Sequence, residues 1–449
     1  MSGNDILKLL NISEGHGECL IGVALFFAML VGLSRLPKKK FSFAARVLMG
    51  TGAGTVFGLA AWAYSQADRE PVMRSLNAWF TLVAQGYLSL FVCLIMPMVF
   101  LASVRLVIHT PAEKQVSPLT RWKKRINTAM VAVSALIAAC LGLVFKVGVL
   151  PGENAEVFRL TTGSGEGIAE LIARAVPAGL GRDLLALNVI GVFVFGIYVG
   201  IAARRMSGKY MDTVKPVFDL TDGAFSVGTS VCKTIIAYKP MGAAAIMASL
   251  TVRHGVLVIV MLVKMLLVLC LGAALMLLVQ LLVSAVSGVG PAAFLKAGKA
   301  AMVKALKTRS GSGCLPEAQQ ALSEGLGLNK EVTDLVSAYA ISSGMQGCGA
   351  LFPAMAAVFA AEMSGIVMTP GLVILLVAVI ALMSYGITDL PGTATMAEFA
   401  AVLGIGMSEA VPGLGAMIAI DPIGDVPRTL INVTGCMANA IFVERKVRK

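Results

Sequence analysis

Apolar residues in this chain run in blocks too long and too free of charge to form one face of a soluble helix. Thr81–Ser103, Leu185–Ala203, Ala243–Leu250, Met265–Gly288 and Gly371–Met383 contain no Asp, Glu, Lys or Arg. Several reach the ~20 residues that cross a bilayer as a helix. A segment surrounded by lipid must satisfy its own backbone groups, so these blocks are predicted to be helical. The pattern predicts helices at about 19–36, 43–64, 79–108, 126–149, 184–204, 213–250 and 254–287. Between them, 150–183 is rich in Gly, Glu and Pro and is expected to be a loop with a short amphipathic piece.

The pattern changes after Arg309. Ser310-Gly311-Ser312-Gly313-Cys314-Leu315-Pro316 is too polar and glycine-rich for a spanning helix, yet apolar segments flank it. A second break, Ser384 to Thr393, interrupts the apolar stretch 371–405. A full helix is expected after each break, at about 331–361 and 411–443. Irregular backbone at membrane depth is tolerated where it is buried in protein or lines a wet cavity. Two interrupted segments at corresponding places of a repeated unit point to the binding site of an inverted-repeat transporter. The alternative is a pair of ordinary loops. In the last helix Asp421, Asp425, Arg428 and Asn432 recur at spacings of four, three and four, so they share one face. Charged groups inside membrane helices usually face a substrate or ion path. The plainer alternative is an Asp425–Arg428 pair that only staples helices.

Composition agrees with a membrane protein. Of 449 residues 57% are hydrophobic and 14% charged, against about 25% charged in a soluble domain. One integral membrane domain is expected, without a soluble module. The first apolar stretch lacks a preceding basic region and a following A-x-A site, so it reads as a retained helix and not a cleaved signal. The net charge of +12 resides in short segments between apolar runs, such as Arg35–Arg46, Arg121–Arg125, Arg204–Lys215 and Lys296–Arg309. Basic loops stay cytoplasmic, which predicts the N-terminus outside and the C-terminus inside, and excludes nucleic acid as a partner. The eight cysteines stand singly, with no C-x-x-C and only three histidines in the chain. They suggest neither a disulfide framework nor a metal site, and a cysteine enzyme lacks a nearby histidine. No catalytic residue is assigned.

The run Asp421-Pro-Ile-Gly-Asp425-Val-Pro-Arg428-Thr429-Leu-Ile-Asn432 resembles the final-helix signature of the dicarboxylate/amino acid:cation symporters. Thr308 to Pro316 is similar to that family's serine-rich first hairpin tip. Gly344 to Met355 is similar to the seventh-helix run of its bacterial L-cystine uptake branch. The resemblance covers about 40–445 and is specific in the last third. It implies an all-α integral membrane, glutamate-transporter-like fold with about nine transmembrane helices, two re-entrant hairpins and inverted repeats, working as an elevator in a homotrimer. It also implies an extra N-terminal helix (1–42), a mainly scaffold part (43–252) and a mainly transport part (253–449). The transport part would hold hairpin 1 at about 291–329, a broken helix at 331–361, hairpin 2 at 371–405 and the last helix.

The implied activity is symport of an amino acid, L-cystine first, across the bacterial inner membrane with H+ or Na+, without a cofactor. Another acidic amino acid or a C4-dicarboxylate is the alternative. Carried over by position, Arg428 would hold a substrate carboxylate, Asp425 an ammonium group, and Asn432 a carboxylate or amine. Thr429 and Met345 would stand beside them, and Ser310, Gly311, Ser312, Leu390, Pro391 and Gly392 would supply tip contacts. A guanidinium grips a carboxylate through two parallel hydrogen bonds, and a buried carboxylate suits an ammonium partner. The sodium-coupled members carry N-M-D-G-T where this chain reads Met345-Gln346-Gly347-Cys348-Gly349, and an Asp in place of Cys436. Two carboxylates that would ligate sodium are therefore absent, and hard cations need oxygen ligands. Gly349 in place of threonine leaves room for a longer substrate. Asp389, Glu317, Asp421 and Asp425 are the acids that could carry a proton or serve an ion, with a solvated acid at the pocket mouth as the alternative for the tip residues.

Overall fold

The computed structural model describes residues 18–65, 70–110, 117–153, 156–157, 173, 176–387 and 392–448. It is helical throughout these residues, with no β-strand among them. The chain runs through α1 (Glu18–Ser34), α2 (Phe43–Ser65), α3 (Glu70–Ile108), α4 (Pro118–Phe145), the short α5 (Leu180–Leu185), α6 (Val189–Ser207), α7 (Met211–Ala237), α8 (Lys239–His254) and α9 (Leu257–Val286). The last third comprises α10 (Pro291–Thr308), α11 (Leu315–Gln320), α12 (Lys330–Ser342), α13 (Phe352–Met363), α14 (Pro370–Ile387), α15 (Thr393–Gly404) and α16 (Val411–Arg448). Most of the loop expected at 150–183 lies outside the described residues.

Local sequence explains the boundaries. Ser117 caps α4, its hydroxyl accepting from the Thr120 N–H at 3.2 Å, and Pro118 occupies the first turn, where its missing N–H costs nothing. The single helix expected at 213–250 is instead α7 and α8, bent by 51° at Tyr238. Pro240 is the cause. It has no N–H to give, and its ring conflicts with the carbonyl four residues earlier. α3 starts at Glu70, well before the expected residue 79, and Ser249 and Arg253 of α8 hydrogen-bond to its Asn77 and Thr81 in the third and fourth turns.

By length and composition six described stretches can cross a membrane: α2, α3, α4, α6, α9 and the α12–α13 stretch. Counting the bent α7–α8 pair as one span gives seven. The protein is therefore multi-pass. A stripe of α9, Val260, Val263, Leu267, Leu271, Leu278 and Leu282, is exposed. Such an apolar surface suits lipid and would be a liability in water.

The helices pack in two groups. In one, α2 lies against α8, and α3 against α6, α7 and α8; in the other, α16 collects α9, α10, α12 and α13, with α4 against α13, α14 and α16. Gly50, Gly54 and Gly58 let α2 approach the α8 backbone closely; a Cβ there would strike the carbonyls of Pro240, Ala244 and Ala248. This is the small-residue route to tight helix contact in lipid. The groups meet where α8 and α3 touch α16 and α15, and the candidate site lies at that junction.

Candidate functional site

α16 brings its polar face to the centre of the second group. Arg428 is 1% exposed, and its Nη2 donates to Asp421 Oδ1 at 2.5 Å and to Asp425 Oδ1 at 3.2 Å. Its guanidinium lies 4.0 Å from the Phe352 ring centroid at the start of α13, a cation–π contact that fixes the plane of the fork. Nε and Nη1 have no acceptor among the described residues. The arginine thus keeps two buried donors directed away from its own helix's carboxylates.

Asp421 is shared across the two groups. Its other oxygen pairs with Lys239 Nζ at the start of α8, and that ammonium also donates to Thr395 Oγ1 of α15 at 3.2 Å. Lys239 is buried. Glu398, one turn further along α15, is completely buried, and its electrostatic neighbours are Asp421, Lys239 and Arg428.

Between α12 and α13 the helix opens at Ser343–Gln346 and resumes through a π-helical turn at Gly347–Leu351. Asn432 holds this break: its Oδ1 accepts from the Gly347 N–H at 2.7 Å and the Cys348 N–H at 3.2 Å, and its Nδ2 reaches Cys348 Sγ at 3.1 Å and Met345 Sδ at 3.7 Å. The Asn432 amide is thus engaged with the protein. Gln346 joins a buried amide chain. It accepts from Gln280 Nε2 at 2.7 Å and donates to Asn439 Oδ1 at 3.4 Å, and Asn439 in turn donates to Asn127 Oδ1 at 3.1 Å.

The other residues singled out from the sequence divide by position. Thr429 is buried beside Arg428. Gly349 borders a small cavity of about 10 Å3, with Ile380, Met383, Ser384 and Thr393 on its walls, so the room left by its missing side chain opens toward α14 and α15. The tip Ser310–Ser312 is drawn to α16 through Arg309, whose Nη1 donates to the Pro422 carbonyl at 3.2 Å. Within the tip Ser310 Oγ accepts from the Gly313 N–H at 3.1 Å. Gly392 adopts φ +69° ahead of α15, where a Cβ would also press on Ile236; both facts call for glycine. Glu317 stays apart from the cluster, paired with Lys304 at 2.5 Å. Asp389, Leu390 and Pro391 lie outside the described residues.

Three features escaped the sequence reading: Lys239, Glu398 and the amide chain. The signal for the first two was present, since each is a lone ionisable residue in an otherwise apolar run. Among the described residues no group of three or more His, Cys, Asp or Glu is placed to hold a metal ion. A cavity of about 890 Å3 opens beside the basic segments, with Arg105, His109, Lys123, Arg204, Tyr339 and Tyr385 on its walls. That size suits a small-molecule site. Asp222 pairs with Arg105 at 2.6 Å and with His109 at 2.9 Å on the α3–α7 wall.

The chain is 26% identical over 436 residues to the L-cystine uptake protein TcyP of Bacillus thuringiensis subsp. konkukian (strain 97-27), covering 94% of this chain and 93% of that protein. It is 26% identical over 447 residues to the L-cystine uptake protein TcyP of Shouchella clausii (strain KSM-K16), covering 95% and 94%. That of Bacillus licheniformis (strain ATCC 14580) is 23% identical over 439 residues, covering 95% and 94%. These relatives are uptake proteins, and the chain is a transporter, not an enzyme. Residues 43–446, from the start of α2 nearly to the end of α16, match the Sodium:dicarboxylate symporter family, and the chain belongs to that family.

Proposed function

We propose that the protein takes up an amino acid bearing free carboxylates, L-cystine first, across a bacterial inner membrane as a proton-coupled secondary symporter. The observation that carries the reading is Arg428, a dry guanidinium with two donors to spare beside Asp425. The fork would take a carboxylate, and Asp425 an ammonium group. The names of the relatives favour L-cystine. Another acidic amino acid or a C4-dicarboxylate would use the same fork and is the second reading.

Two packing details favour the proton over sodium. A Cβ at Gly347 would overlap the Arg428 carbonyl, so this close approach of α13 to α16 has no space for an acid. Cys436 donates to the Val433 carbonyl at 3.0 Å, and the amide chain nearby engages Gln346 and Asn439 while leaving one buried acceptor, Gln280 Oε1, without a donor among the described residues. A proton needs only one titratable group reached from each side in turn; Asp389 and Asp425 remain candidates, whereas Glu317 has a standing partner in Lys304. In this reading α1, α2, α3, α4, α6, α7–α8, α9, α12–α13 and α16 make nine spans. α10–α11 and α14–α15 are re-entrant hairpins. Residues 253–449, joined by α4, move as an elevator against a homotrimeric scaffold, with the N-terminus outside and the C-terminus in the cytoplasm.

A competition panel in proteoliposomes tests the substrate: excess L-cystine should suppress labelled uptake more than L-aspartate or succinate. Stronger suppression by succinate would replace the amino-acid reading with the dicarboxylate one. Accumulation should follow an inward pH gradient without sodium. Accumulation that requires sodium and ignores pH would reverse the choice of ion.

A further inference from the structure

Every residue from Ala394 to Gly404 is buried, and Glu398 is the one ionisable side chain among them. It is 0% exposed, and neither carboxyl oxygen has a hydrogen-bond partner among the described residues. Thr395, which accepts from Lys239 at 3.2 Å, lies one turn before it on the same face. The charged groups that face Glu398 are Lys239 from α8 and Asp421 and Arg428 from α16. From α3, Tyr87 faces Asp421, and Phe91 stacks on Phe399 at 5.4 Å.

Lys239 and Arg428 already have Asp421 and Asp425 as partners, and Arg309, which approaches Asp425 from the tip at Ser310, is not among the charged groups that face Glu398. An ionised Glu398 would be an extra anion with no donor. Even after relaxation, burying an unmatched ion costs several kcal/mol, far more than burying the neutral acid. The arrangement therefore holds Glu398 protonated. α14, the partner arm of α15, contributes Tyr385 and Gly386 to the large cavity.

We propose that Glu398 is a proton-binding site of the transport cycle, with Lys239 as the counter-charge that promotes release. This rests on the proton-coupled reading above. The acid crosses neutral while the site is dry. When water reaches it beside α8, its O–H bond breaks, the proton passes to water, and the Lys239 ammonium balances the carboxylate left behind. Lys239 belongs to one packing group and Glu398 to the other, so relative movement of the groups separates them. A carboxylate parted from its ammonium then binds a proton from water on the opposite side, which restores the acid.

The test uses the full chain in proteoliposomes, with labelled L-cystine followed in two modes. Glu398→Gln should keep exchange of internal for external cystine and lose accumulation driven by an inward pH gradient. If wild type accumulates on the pH gradient and Glu398→Gln does so equally, the Glu398 site is wrong and proton coupling stands. If wild type needs sodium and ignores pH, proton coupling itself fails and takes this site with it. Should Glu398→Gln lose exchange as well, infrared spectra of folded wild-type and variant protein decide. A carbonyl band of a protonated carboxylic acid that responds to pH and vanishes in Glu398→Gln supports the site; a wild-type spectrum unaltered by the substitution overturns it.

Discussion

Two helix pairs, α10–α11 and α14–α15, each bring an acid toward the middle of the protein, and the two acids are held in opposite ways. Glu317 is about a third exposed and meets Lys304 of its own pair at 2.5 Å. Glu398 is sealed from solvent and has no donor at all among the described residues. The first acid carries its counter-charge with it wherever the pair goes, so its charge has no reason to change. The second must be neutralised by something that comes and goes. A permanent ion pair makes structure, whereas a dry acid beside a borrowed cation makes a switch.

The contrast can be broken or sharpened at four points. The largest effect is expected for Arg428→Ala, which strips Asp425 of its paired guanidinium and leaves Asp421 with Lys239 alone. Removing one partner of a buried pair costs about 3–5 kcal/mol, or on the order of 10²–10⁴ in affinity. Equilibrium binding of labelled L-cystine should fall accordingly, and Arg428→Lys should recover little, because lysine lacks the planar fork. Near-normal affinity in Arg428→Ala would remove the arginine from the site.

Lys239→Met comes next. Asp421 keeps Arg428, so the cost is that of the charged hydrogen bonds to Asp421 and Thr395, about 1.5–3 kcal/mol each. Thermal unfolding in detergent should show it, with partial recovery when Asp421→Asn is added. A Lys239→Met protein as stable as wild type would mean the pair across the two groups contributes nothing.

Gln346→Leu interrupts the amide chain and should cost about 1 kcal/mol for each neutral hydrogen bond lost, without creating a sodium requirement. Uptake measured with and without sodium checks both halves of that statement. The smallest effect belongs to Glu317→Gln. A partly exposed ion pair contributes roughly 0–1 kcal/mol, so stability should barely change and the pH profile of uptake should match wild type. A shifted profile would make Glu317, not Glu398, the titrating acid.

What could be read from the sequence follows from where the physical information sits. Long charge-free blocks placed α2 and α9 because lipid demands apolar side chains along a whole span. The polar face of α16 was legible because Asp421 and Arg428 lie seven residues apart on one helix. Lys239 was not legible as their partner, since it lies 182 residues away from Asp421 and the pairing exists only once α8 touches α16. The 51° bend between α7 and α8 was overlooked because the apolar pattern continues past Tyr238-Lys239-Pro240, although the proline marked it. Asn432 shares the polar face of α16 and is legible there, but the grip of its amide on the Gly347–Cys348 backbone depends on how the broken helix folds back.

The charges on α16 also bear on how the protein is made. A ribosome delivers α16 after α1 to α15, and Asp421, Asp425 and Arg428 make it a poor entrant to lipid alone, since each such residue near a helix centre adds about 2.5–3.5 kcal/mol to insertion. By then Lys239 and the closely packed α2–α8 pair are already in the bilayer, offering a countercharge to Asp421. Membrane entry of the final helix is therefore an act of assembly, in which earlier helices serve as its solvent. A glycosylation-mapping assay reads this directly: 411–448 should integrate poorly when fused to an unrelated leader and efficiently behind its own first 410 residues, and equal integration in both settings would refute it.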